Sequence, residues 1–80
     1  MDDAQLSDRI DELVAEERRL WQLEGQKRAS DADRDRLAEV KVALDRCWDL
    51  LRQRRALEEF GLDPDAASAR SADVVEHYRQ

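Results

Sequence analysis

The chain is poor in most of what a reactive site requires. Among 80 residues there are one cysteine, one histidine, one proline and two glycines, and aromatic side chains make up only 5%. A lone Cys47 forms no intramolecular disulfide, which favours a reducing compartment. His77 with Asp73 one helical turn earlier offers two metal ligands, fewer than a zinc centre needs, and no further histidine or cysteine stands at a useful spacing. Two isolated glycines build no phosphate-cradling loop. No apolar run approaches the roughly 18 residues of a membrane span. The Met1-Asp2-Asp3 start also lacks the basic and apolar segments of a secretion signal. These absences set the expectation of a cytoplasmic protein with no metal, no cofactor and no membrane contact.

What the chain does have is charge and helical periodicity. Charged residues reach 42% and hydrophobic ones 41%, a balance suited to long amphipathic helices in one small domain. A chain of this size buries little surface alone and gains from a partner. The net charge of −6 is uneven: residues 1–24 carry eight acids and three bases, residues 25–59 eight acids and nine bases, residues 60–80 four acids and two bases. An acidic first segment beside a near-neutral second suits two segments that face each other, and argues against a protein built to coat nucleic acid.

Leu6, Ile10, Leu13, Val14, Leu20, Trp21 and Leu23 recur largely at spacings of three and four, which predicts a first helix capped by Asp2 or Asp3 and ended at Gly25. Ser30 with Asp33 has the form of a capping box and opens a second helix. Its seam is Leu37, Val40, Leu44, Cys47 and Leu51, flanked by Trp48 and Leu50, with Arg54 at the next seam position. Nothing between Asp31 and Phe60 breaks it. Beyond Gly61, Asp63-Pro64-Asp65 combines a cap with proline at a first helical position, and Ser71 is placed to cap a further turn or two carrying Val74, Val75 and Tyr78.

The fold expected is all-α: an antiparallel helical hairpin over residues 1–60 and a C-terminal tail with a short helix over 61–80, assembling into a four-helix bundle. At about 1.5 Å per residue the first helix spans about 33 Å and the second about 45 Å, so the second overhangs the first. The antiparallel register sets Leu13 and Val14 near Val40 and Leu44, and Leu6 near Trp48 and Leu51. It also brings the acidic start of the first helix to Arg52, Arg54 and Arg55, giving those arginines an internal reason to exist.

The run Cys-Trp-Asp-Leu-Leu-Arg-Gln-Arg-Arg from Cys47 to Arg55 resembles that of a small actinobacterial family of helical proteins of unknown function. The likeness continues at Glu12 to Val14, at Gly61 with Asp63-Pro64-Asp65, and at Val75-Glu76 with Tyr78, and is least over residues 25–33. It implies an actinobacterial, cytoplasmic origin and transfers no functional site.

No side chain combination points to catalysis. Acid pairs such as Glu16 with Glu17 and Asp33 with Asp35 sit on a charged, solvated face, and thin helices offer no enclosed pocket for general acid–base work. Cys47 reads as a small buried hydrophobe before it reads as a redox thiol beside Arg46. Trp21 and Trp48 read as core or interface anchors, with Arg52 one turn after Trp48 placed to cover its ring. The function expected is a non-enzymatic interaction or scaffold protein, a homo-oligomer with the dimer favoured, holding an unidentified protein partner through Trp48, Arg52, Arg54, Arg55, Val75 and Tyr78. The alternative is a nucleic-acid-associated accessory protein using Arg52 to Arg55, disfavoured by the acidic first segment and the lack of exposed aromatics between the arginines.

Overall fold

The computed structural model describes residues 1–68 and contains two long helices, α1 (Asp3–Gly25) and α2 (Asp31–Glu59), followed by a single 3-10 turn at Pro64–Ala66. Val75 and Tyr78, and with them the expected last helical turns, lie outside the described residues.

Both helices begin with a complete capping box. The Asp2 carboxylate accepts from the Gln5 backbone N–H at 2.8 Å, and the Gln5 side-chain oxygen accepts from the Asp2 N–H at 3.0 Å. Ser30 Oγ accepts from the Asp33 N–H at 3.1 Å while an Asp33 carboxylate oxygen accepts from the Ser30 N–H at 2.9 Å, so aspartate serves where glutamate is usual. The Ser30 backbone N–H, and after it the Ser30 side chain, holds the Asp33 carboxyl below its ordinary range.

The helices also end alike. After α2 the N–H of Leu62 reaches Leu57 O at 2.8 Å and that of Gly61 reaches Glu58 O at 3.0 Å, with Gly61 at φ 70°. After α1 the N–H of Arg28 reaches Leu23 O at 2.8 Å and that of Lys27 reaches Glu24 O at 3.0 Å, with Lys27 at φ 58°. This paired closure is the Schellman arrangement, in which one residue takes the left-handed conformation. At α2 that residue is the expected glycine. At α1 the helix runs through Gly25, whose following N–H, that of Gln26, still bonds Gln22 O at 3.0 Å, and the left-handed position falls to Lys27.

The two helices fold antiparallel around this connector, and their facing stripes close one seam. Leu6, Ile10, Leu13 and Leu20 of α1 and Leu37, Val40, Leu44 and Leu51 of α2 are buried, with Val14, Leu23, Ala43, Cys47 and Leu50 half-covered beside them. Ion pairs along the seam fix the register. Arg36 grips Glu16 with two bonds at 2.6 and 2.8 Å, Arg34 meets Glu24 at 3.1 Å, and Arg54 meets Asp3 at 2.6 Å. The acidic start of α1 therefore meets the arginine-rich end of α2, as the charge distribution predicts. Among the described residues no helix is long and apolar enough to cross a membrane.

Candidate functional site

Arg54 takes the seam position that follows Leu51 and is buried there, its side chain 7% exposed. Its Nε donates to Asp3 at 2.6 Å, and Nη1 donates to Asp65 at 2.9 Å and to the Pro64 carbonyl at 3.3 Å. One guanidinium thus joins the first turn of α1, the end of α2 and the 3-10 turn. Arg54's hydrogen bond holds the Asp3 carboxyl below the usual carboxylate range against the opposing effect of burial, and both carboxylates keep Arg54 firmly protonated. Next to it, Gln53 Nε2 donates to buried Asp49 at 3.0 Å and to Ser68 O at 2.9 Å. The strand of chain after Gly61 is thereby laid back along α2. Sequence periodicity places Arg54 on the seam, but its partner Asp65 becomes visible only once the Gly61 turn reverses the chain.

The other arginines of the run face differently. Arg52 is exposed and lies 3.9 Å from Asp49, and Arg55 is exposed one helical turn past Leu51. Among the described residues the cation over an aromatic ring is Lys41, 5.9 Å from the centroid of Trp21, and not Arg52 over Trp48 as expected. Cys47 is half-buried, and burial pushes its thiol up against the lesser pull of Arg9 and Arg46, so it stays protonated near neutrality. Among the described residues no three metal-ligating side chains cluster.

Trp21 and Trp48 stand outside the hairpin core, 50% and 44% exposed. A two-helix seam is too narrow to cover side chains at the edge of a broad apolar stripe. Both tryptophans belong to one side of the molecule, where Val14 and Glu17 of α1 and Ala38, Lys41, Val42 and Trp48 of α2 line an open groove of about 620 Å³. Lys41 connects the two ends, lining the groove and reaching the Trp21 ring. Ala38, Lys41, Asp45, Trp48 and Arg52 follow one another at spacings of three and four along this side of α2, a second stripe beside the buried seam. The opposite side carries a smaller hollow lined by Met1, Leu6, Ala43, Arg46, Cys47 and Leu50.

No solved structure matches the chain. It is similar to "Uncharacterized protein Rv0898c" of Mycobacterium tuberculosis and "Uncharacterized protein Mb0922c" of Mycobacterium bovis, each 47% identical over 70 residues that cover 86% of this chain and 80% of the relative. The family described as "Protein of unknown function (DUF2630)" matches residues 2–80. With that match running nearly end to end, and relatives 47% identical in the mycobacteria, the chain belongs to the DUF2630 family of proteins of unknown function.

Proposed function

We propose that the chain is a non-enzymatic helical interaction protein of the cytoplasm that works by self-association, with the dimer as its favoured state and the hairpin of residues 1–60 as the assembling unit. The observation that carries this reading is the large apolar side chains left outside the single seam. Trp21, Trp48, Leu62 and Phe60 are 50%, 44%, 58% and 79% exposed. Burying a fully exposed side chain of this size adds about 1.5–3 kcal/mol of hydrophobic stabilisation, and covering the part of each still exposed contributes a share of that, which favours pairing two hairpins into a four-helix bundle. Trp48 is then covered by the pairing, Arg52 and Arg55 stand exposed beyond it toward the end of α2, and Arg54 acts from inside by fixing that end's shape.

Nucleic-acid association draws less support, because Arg54 is occupied by Asp3 and Asp65 and Arg52 lies beside Asp49. Light scattering across a concentration series tests the main reading. The expected result is a mass approaching twice the chain mass at tens of micromolar, with a blue shift of tryptophan emission as it forms. A strict monomer removes the proposal, and salt-sensitive binding to DNA or RNA by the wild-type chain promotes the alternative.

A further inference from the structure

The groove side of α2 has an internal symmetry of size and charge. Lys41 and Asp45 lie one turn apart at its centre, with Ala38, the smallest side chain of the stripe, on one flank and Trp48, the largest, on the other. Each flank is the same number of residues from the centre. A helix patterned in this way complements a reversed copy of itself, as an isologous interface requires.

We infer that the groove face takes a second copy of this chain, with α2 packed antiparallel on α2 about a two-fold axis that crosses the helix midway between Lys41 and Asp45. This rests on the self-association proposed above and specifies its face and register. The axis sets Lys41 against the partner's Asp45, and Asp45 against the partner's Lys41, giving two opposite-charge contacts per dimer. It sets Trp48 over the partner's Ala38, where the missing side-chain volume leaves room for the indole, and does so twice. At the rims Arg34 approaches the partner's Arg52. That approach is tolerable because each arginine carries its own acid: Arg34 bonds Glu24 at 3.1 Å and Asp31 at 2.9 Å, and Arg52 lies 3.9 Å from Asp49. Other registers along the stripe lose these matches; centring it on Asp45, for example, sets two carboxylates face to face.

The test uses the full chain, sedimentation equilibrium and complementary charge reversals. K41D and D45K should each weaken self-association by at least about tenfold, since each creates two like-charge contacts per dimer. An equimolar mixture of the two variants should pair as tightly as wild type, because every contact in the mixed dimer is again opposite in sign. The double variant K41D/D45K should recover pairing alone. Circular dichroism checks that helicity is kept; should either reversal unfold the chain, the neutral pair K41Q and D45N replaces it, each expected to weaken pairing and their mixture to restore it in part, since the mixed dimer keeps one of the two opposite-charge contacts. A wild-type dimer indifferent to all these changes overturns the register while leaving self-association standing. Rescue of K41D by E17K in place of D45K also overturns it, by running the axis along the helices and setting α2 on the partner's α1. A strict wild-type monomer with shielded tryptophans gives the face to the chain's own residues 69–80 and overturns both readings.

Discussion

At Arg54 a heptad seam meant for an aliphatic side chain holds a charge, and the surroundings make that tolerable. Asp3 and Asp65 flank the guanidinium but remain 44% and 73% exposed, so the charges are neutralised without being fully dehydrated. Replacing Arg54 by Leu should therefore leave helicity intact at neutral pH, with a thermal midpoint within about 5 °C of wild type, because an apolar side chain suits the seam and both acids can turn to water. Acid is a sharper probe. Asp3 and Glu16 have folded pKa values below the ordinary 3.8 and 4.5, chiefly through hydrogen bonds from Arg54 and Arg36. A depressed carboxyl contributes stability that is fully present above its unfolded pKa and is lost as pH falls through the folded one. Melting temperature should hold nearly level from neutrality down to the ordinary carboxylate range and decline as pH falls below it, and Arg54→Leu should make that decline shallower. An undiminished acid slope in the variant would show that Arg54 does not govern Asp3. Cys47 offers a third check, since its raised pKa predicts slow labelling by a thiol reagent at neutral pH, accelerating as pH rises through the alkaline range.

The two helix ends form a controlled comparison within one chain, with the same closing bonds around Gly61 in one and Lys27 in the other. A lysine pays the left-handed backbone penalty that glycine avoids, so Lys27→Gly should stabilise by about 1 kcal/mol or less, after glycine's extra unfolded-state entropy is subtracted. Ser30→Ala should remove the cap of α2 and lower stability by about 1 kcal/mol, measurable by urea unfolding at an unchanged slope. Both helices, their N-terminal caps and the Gly61 stop were legible in the sequence, because apolar recurrence and capping chemistry are local. The end of α1 was less so: Gly25 signals a stop, yet the closure depends on which carbonyls Lys27 and Arg28 can reach once the chain turns toward Ser30. The tryptophans show a different limit. Periodicity assigns Trp21 and Trp48 to apolar stripes correctly, but how wide a stripe one neighbouring helix can cover is a property of the pair, so their exposure emerges only on assembly of the hairpin.

A molecule whose buried apolar core consists of eight residues among those described has little stability to spare. Leu44, 7% exposed, sits in the middle of that core and lines the groove face as well. Leu44→Asp should cost several kcal/mol and leave the chain unfolded or dissociated, seen as lost helical ellipticity. An unchanged melting temperature would remove Leu44 from the core. The order in which contacts form can be read from the same architecture. Arg34 and Glu24 flank the connector and are ten positions apart, Arg36 and Glu16 twenty, Arg54 and Asp3 fifty-one. Closing the short loop first and zipping outward lets each later pair form with less chain left to order, so the Arg54 clasp joins last. Contacts that arrive after the transition state change the unfolding rate and leave the folding rate alone. Stopped-flow traces of Arg54→Leu should accordingly show a wild-type folding limb with any change confined to unfolding, which makes the clasp a brake on opening from the free ends and gives it no part in finding the fold.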